Sequence, residues 1–173
     1  MSTSTFLPPI VIHSTPMVEQ DLALHVYTTV FVPDFIDSVP DYQGNPLSVK
    51  MKPFRNGYCA TFWHMITEGP DENNRIILPD RCYKLPWVKA VISNCTDPSV
   101  VIWENTRGKN TRICLWYNRS DGILKPDSYL VVLEKRIESS GRVVYLPWTA
   151  YPVDRAHTAR KLEKEYQNYI KSI

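Results

Sequence analysis

The sequence is poor in glycine and cysteine and contains no long apolar run. Its six glycines leave little room for a phosphate-binding glycine-rich loop, so we expect no ATP-dependent or dinucleotide-dependent chemistry and no cofactor. No apolar run approaches the roughly 18 residues that cross a membrane. Residues 1–14 lack the basic start and apolar core of a signal peptide. We therefore expect a cytoplasmic protein with no membrane contact.

The four cysteines and four histidines are too scattered for a disulfide framework or a zinc site. No CxxC occurs, and zinc domains need ligands in close pairs. We therefore expect buried free thiols and no metal. The residues concerned are Cys59, Cys82, Cys95, Cys114, His13, His25, His64 and His157.

Basic residues are missing from the first 49 positions of the 173-residue chain, although five acidic residues occur there. From Lys50 onward there are 20 basic and 13 acidic residues. This division favours a basic face directed at a polyanion, with the N-terminal part facing elsewhere. Chance clustering of surface charge is the alternative.

The N-terminal part, residues 1–46, is predicted to be an extended lead-in and a helix that pack on an α+β domain formed by residues 47–173. Helical spacing of apolar residues begins at Pro16 and reaches Asp37, with Thr15 as a candidate cap and Pro33 as the expected end. The apolar residues on this side are Val18, Leu22, Leu24, Val26 and Val30.

The middle of the chain is less uniform. Residues 47–53 alternate apolar and basic side chains, which predicts a strand. Residues 58–67 are apolar and aromatic, and periodicity leaves a strand and a short helix equally open. Residues 80–92 have helical spacing, and Pro86 suits the first position of a helix.

The C-terminal half predicts a four-stranded antiparallel meander followed by a helix, giving an α+β fold with N-terminal helices. The last helix is expected from Asp154, as its cap, to Ile170. One face of such a sheet is covered by helices, and the other is expected to be open to a ligand. The predicted strands are 100–103, 111–117, 128–137 and 142–148.

His64 is the candidate acid or base, because it follows Phe62 and Trp63 in a dense aromatic stretch and its ordinary pKa is close to neutrality. A histidine that only completes the core is the alternative. Thr149 and Tyr151 project to one side of an extended chain and can both hydrogen-bond a phosphate. Packing of Tyr151 at the sheet edge is the alternative for that pair.

Arginine and tryptophan side chains supply the candidate nucleic-acid contacts. Arg112 and Trp116 share one side of a predicted strand, where a guanidinium fits phosphate oxygens and an indole can stack on a base. A solvated outer face is the alternative. The residues proposed to contact nucleic acid are Arg75, Arg81, Trp116, Arg119 and Arg136.

Several short motifs, taken in order, resemble the barnase/EndoU/colicin/RelE-like nucleases, in particular their phage-associated branch. They are TFWHMIT (61–67), RIILPDRCYKLPWVKAVI (75–92), TRICLWY (111–117), YLVVLEKR (129–136) and WTAYPV (148–153), and the resemblance covers roughly residues 47–170. It implies a compact endoribonuclease that needs no metal, with RNA as its partner and a cognate inhibitor or host protein as a further one. A toxin or phage-conflict protein fits this description.

The resemblance also implies roles for four residues. His64 would be the base or acid, Arg112 would stabilise the phosphorane, and Thr149 and Tyr151 would orient the phosphate. No second histidine has a comparable setting, so Tyr151 or an arginine would have to assist the leaving group. A non-catalytic module that binds nucleic acid or protein, for example a phage-encoded inhibitor acting through the acidic N-terminal helix, is the alternative function.

Overall fold

The computed structural model describes residues 5–11 and 16–173, and it confirms the α+β class. The helices are α1 (Glu19–Val26), a π-helix (Tyr27–Asp37), α2 (Ala60–Ile66), α3 (Pro79–Tyr83), α4 (Pro86–Ser93) and α5 (Ala156–Ser172). The strands are β1 (Asp41–Tyr42), β2 (Asn45–Pro46), β3 (Thr67–Glu68), β4 (Ile76–Ile77), β5 (Val100–Arg107), β6 (Asn110–Tyr117), β7 (Tyr129–Ile137) and β8 (Val143–Pro152). Within these two ranges, no helix is long and apolar enough to cross a membrane.

The four long strands form the predicted meander, in the order β5-β6-β7-β8 with every pair antiparallel. Gly108, at a φ of 61°, makes the tight turn between β5 and β6, where a side chain would be strained. The predicted alternation of β6 is also confirmed. Ile113 and Leu115 belong to one buried cluster, and Cys114 and Trp116 belong to the other.

The two faces of this sheet have unequal covers. One face packs against α1 to α4 and the π-helix in a large cluster that includes Phe31, Phe62 and Tyr129. The other face packs against α5 in a smaller cluster that includes Trp116 and Leu162. The expectation that this second face is open is therefore only half right, because α5 covers part of it.

The N-terminal helix does not begin or end as predicted. Val18 occupies the cap position of α1 without a side-chain hydrogen bond, and Thr15 lies outside the described residues. The predicted stop at Pro33 is wrong, because the π-helix runs through it to Asp37. In a π-helix the carbonyl partner lies five residues back, and the wider turn relieves the clash between the proline ring and the carbonyl four residues back.

The predicted strand at residues 47–53 is also wrong. This segment makes one backbone hydrogen bond to β8, from the Ser48 N–H to the Tyr145 carbonyl (2.8 Å), and then leaves the sheet. The carbonyls of Lys50 and Met51 instead accept the Thr61 and Ala60 N–H groups, both at 3.0 Å. These bonds satisfy the first turn of α2. The stretch 58–67 is therefore mainly the short helix Ala60–Ile66 rather than a strand, and its last residue, Thr67, begins β3.

Two further helix boundaries were predicted. Pro86 is the first residue of α4, as expected. Asp154 is not the cap of α5, because Arg155 occupies that position without a side-chain hydrogen bond. The Val153 N–H donates to the Ser128 carbonyl (2.8 Å), which keeps the chain extended and delays the first helical turn.

Candidate nuclease site

A groove of about 1020 Å³ lies on the α5 side of the sheet, where α5 leaves β6, β7 and β8 uncovered near α3. Its charges nearly balance, so this groove is not the basic face that the division of charge along the sequence favours. The cations that line the groove are Arg81, Arg107, Arg112, Arg155 and Lys161, and the acids are Glu68, Asp80, Asp154 and Glu165.

A β-bulge in β8 gives the edge of this groove its shape. Leu133 pairs with Pro147 and Val132 pairs with Thr149, so Trp148 is the extra residue. A bulge bends its strand and redirects side chains. Thr149 and Tyr151 lie opposite alternate residues of β7 and therefore share one face of the sheet, as predicted.

His64 projects from α2 to this bulge. Its Nδ1 lies 2.7 Å from the Trp148 carbonyl oxygen, and the two ring centroids are 4.4 Å apart. A carbonyl only accepts hydrogen bonds, so Nδ1 carries the proton and Nε2 keeps its lone pair in the neutral imidazole. Burial lowers the pKa of His64 below 6.5, and the charges of Arg75 and Arg81 act in the same direction. The imidazole is therefore neutral at pH 7, as a base must be.

Arg81 lies between the helices and the end of β8. It is 9% exposed, and its Nη1 donates to the Thr67 carbonyl (2.8 Å) and to Thr149 Oγ1 (3.5 Å). Its guanidinium carbon lies 5.6 Å from the centre of the Tyr151 ring. Burial raises the pKa of Tyr151 to about 12, so the phenol is protonated at neutral pH. Arg81 thus connects three predicted site residues, since its charge also acts on His64.

Arg112 is held at a different place, against the indole of Trp148. Its guanidinium carbon lies 3.9 Å from the indole centre, and its Nη1 lies 3.1 Å from Glu134 Oε2. Arg112 and Glu134 therefore form a close, half-buried ion pair on this face of the sheet. Burial alone would raise the pKa of Glu134, but hydrogen bonds from Arg136 and the charge of Arg112 hold it below its usual value.

Trp148 is therefore the residue that connects His64 to Arg112. The prediction placed His64, Arg112, Thr149 and Tyr151 along one cleft. The prediction is only partly right, because Arg112 and Tyr151 line the groove and His64 and Thr149 do not. His64 and Arg112 both contact Trp148, and Thr149 and Tyr151 both lie beside Arg81.

Of the five predicted nucleic-acid contacts, only Arg81 lines the groove. Trp116 is fully buried and donates to Ser128 Oγ at 2.8 Å, so the prediction that it stacks on a base is wrong. Arg119 lies outside this groove, and its Nη1 pairs with Glu163 Oε1 at 3.2 Å. Arg136 forms a bidentate pair with Glu134, because its Nε donates to Oε1 (3.1 Å) and its Nη2 donates to Oε2 (3.3 Å).

Arg75 has a structural position next to the site. Its Nε donates to Thr67 Oγ1 (2.8 Å), and its Nη2 donates to the carbonyls of Thr67 (2.7 Å) and His64 (3.3 Å). These bonds satisfy the C-terminal carbonyls of α2 and connect them to the loop before β4. The same loop brings Glu72 Oε1 to 3.9 Å from His64 Nε2.

Sequence reasoning missed Trp148 and Glu134 as members of the site. Glu134 carried a signal, because it follows Leu130 and Val132 in the alternation of β7 and is a carboxylate on the face that bears Arg112. Trp148 also carried an indirect signal, because Pro147 precedes it and proline within a strand is confined to edges and bulges. Two cations in the groove, Arg155 at the cap position of α5 and Lys161 within that helix, were also missed, because α5 was assigned only a packing role.

Among the residues that the structure describes, no group of three or more histidine, cysteine, aspartate or glutamate side chains could hold a metal ion. Comparison of the chain with protein-family models, with curated proteins and with solved structures gives no match.

Proposed function

We propose that the chain is a metal-independent endoribonuclease, and the observation that carries this proposal is the setting of His64. Its Nδ1 proton is committed to the Trp148 carbonyl at 2.7 Å, its pKa is lowered by burial, and Arg81 lies close enough to influence it. A neutral imidazole with an unprotonated Nε2 near a buried cation is what removal of a proton next to a phosphate requires.

The chemistry needs few groups, because RNA carries its own nucleophile. In the proposed reaction His64 Nε2 takes the proton of a 2′-hydroxyl, whose oxygen attacks phosphorus and expels the 5′-oxygen of the next nucleotide. Arg81 stabilises the charge on the phosphorane. The Tyr151 phenol, protonated at neutral pH, gives its proton to the leaving 5′-oxygen, and the phenolate then recovers a proton through water from the His64 imidazolium. The products are a 2′,3′-cyclic phosphate and a 5′-hydroxyl.

The resemblance gave Arg112 the role of stabilising the phosphorane, and the present proposal gives it a different role. Arg112 lines the groove and its guanidinium is paired with Glu134 on one side only, so its remaining donors suit an RNA phosphate next to the one that reacts. The direct stabilising role passes to Arg81, which contacts Thr149.

The test is incubation of the protein with single-stranded RNA in EDTA, followed by analysis of the cleaved ends. We expect cyclic phosphate ends, no cleavage by His64→Gln, and RNA binding that weakens as salt increases. RNA left intact by the unmodified chain, or equal cleavage by both proteins, contradicts the proposal.

An exposed apolar surface on α1 favours a second candidate, a non-catalytic binding module. Val18 and Leu24 were expected on the buried side of the N-terminal helix, yet they are 63% and 54% exposed. These two aliphatic residues, with Glu19 and Asp21 beside them, are available for contact with a protein partner. This candidate predicts binding without cleavage, so cleavage in EDTA that depends on His64 contradicts it.

A further inference from the structure

A second groove lies along another flank of α5, between that helix and the loop of residues 120–124. Its volume is about 400 Å³, within the range of roughly 300–1,000 Å³ for ligand pockets. Its walls are mainly aliphatic. They are formed by Ile123 and Leu124 on the loop and by Ala156 and Ala159 on the helix.

The loop wall exposes its large apolar side chains. Ile123 is 78% exposed and Leu124 is 41% exposed, although the rest of the loop is polar. Neighbouring exposed aliphatic residues at a concave surface are more typical of a binding site than of an inert loop.

Two residues that line this groove each carry a buried oxygen atom with no hydrogen-bond partner. Ser120 is 3% exposed and its Oγ is unpaired. Glu163 Oε1 accepts from Arg119 (3.2 Å) and from Gln167 (2.9 Å), but its Oε2 has no partner. The carboxylate oxygen can only accept, whereas the serine hydroxyl can also donate after rotation about one torsion. A peptide group, which offers an N–H and a carbonyl together, matches these two atoms.

The rim of the groove is basic. Arg160 and Lys164 are exposed, one turn apart on α5, and among the described residues neither forms a salt bridge. Their charges attract an acidic ligand. No aromatic side chain lines the groove, so a nucleobase finds no ring on which to stack.

We infer that this groove binds a segment of a partner protein in which one aliphatic side chain is flanked by acidic residues. The aliphatic side chain enters between Leu124 and Ala159, the backbone of the segment meets Ser120 and Glu163, and its acidic residues face Arg160 and Lys164. The inference does not depend on the nuclease proposal, because the groove is separate from the one beside His64.

The probe is the capped peptide acetyl-Asp-Glu-Leu-Glu-Asp-amide, titrated to millimolar concentration into isotope-labelled protein and followed by NMR. We expect saturable shifts of the backbone amides of residues 120–124 and of the groove side of α5. Ala156→Trp, at an exposed position, fills the groove and should weaken binding about tenfold or more. Arg160→Gln together with Lys164→Gln should weaken binding and remove its salt dependence, and Lys171→Gln is the control.

Ser120→Ala separates a binding role from a structural one. Removing an unpaired buried hydroxyl should leave the melting temperature unchanged or higher, while peptide binding weakens several-fold. No shifts with the acidic peptide, or equal shifts with a lysine-flanked peptide, overturn the inference. Larger shifts of the same amides with uridine monophosphate also overturn it and assign the groove to RNA instead.

Discussion

The two faces of the four-stranded sheet differ in how completely their helices cover them. On the α1 to α4 side, Phe31, Phe62 and Tyr129 lie in a continuous aromatic core. On the α5 side the core is small, and arginine and carboxylate side chains line the groove where α5 diverges from β8. Charged groups that are half removed from water interact strongly with each other and with ligands. Incomplete cover is therefore what makes the second face the candidate for chemistry.

The sharpest test of this comparison removes the imidazole at the boundary of the two faces. His64→Ala should lower the rate of RNA cleavage by about 10²–10⁴-fold, because it deletes the proposed base. The lost hydrogen bond to the Trp148 carbonyl should cost about 1 kcal/mol of stability. Cleavage rates and thermal melts of the two proteins measure both effects.

His25→Ala, which removes a histidine from α1, is the matched control and should cleave RNA normally. If His64→Ala instead melts much earlier and keeps its activity per folded molecule, His64 is a core residue and the second face loses its candidate base.

On the sheet face that α1 to α4 cover, a substitution should reduce stability and leave RNA cleavage unchanged. Phe62→Ala should lower the free energy of unfolding by about 3–5 kcal/mol, because it leaves a cavity among fully buried rings. Cleavage per folded molecule should not change, since the side chain faces away from the groove. Denaturant unfolding and activity below the transition measure the two quantities, and Phe54→Ala, at an exposed position, controls for loss of a ring. Equal destabilisation by both variants would contradict the packing contrast.

Substitutions of Arg81 and Arg112, which line the groove on the α5 side of the sheet, should have distinguishable kinetic effects. Arg81→Gln should reduce kcat by about 10²–10³-fold, the effect of removing a donor to a developing oxyanion. Arg112→Gln should mainly raise KM, because Arg112 is proposed to hold a neighbouring phosphate. Steady-state kinetics on a dinucleotide and on a longer RNA distinguish these effects. The reverse pattern would return the stabilising role to Arg112, as the sequence suggested.

The strands and the residue types of the site could be predicted from sequence, but the connections between them could not. Alternation along an extended strand is a local property, so the strands of the meander and the shared face of Thr149 and Tyr151 in β8 were predictable. The partner of His64 depends on a bulge at Trp148, and the role of Arg81 depends on where α3 packs. Both are tertiary properties. The strand wrongly predicted at residues 47–53 has the same origin, since its N–H and carbonyl groups are used to begin α2.

The pH dependence should report the neutral state of His64. Because burial lowers its folded-state pKa below 6.5, activity should stay constant from neutral pH to below 6.5 and fall only at lower pH. The unfolded chain binds a proton near pH 6.5 and the folded chain does not, so stability should also decrease as the pH falls from 6.5 toward the folded pKa. Rate profiles and melts of the unmodified protein and of His64→Gln measure both. An activity that already declines at pH 7 would mean that another group titrates.

The smallest effect is expected at Trp148, because its carbonyl, which orients His64, survives any change of side chain. Trp148→Ala removes the ring that covers His64 at 4.4 Å and Arg112 at 3.9 Å. The imidazole should then be better hydrated, so that its pKa rises toward 6.5, and cleavage should fall only several-fold. Trp148→Phe should restore most of both values, since a smaller ring still excludes water and still attracts a guanidinium. NMR titration of His64 gives its pKa directly, and a pKa unmoved by Trp148→Ala would show that the helices rather than the bulge keep water from the imidazole.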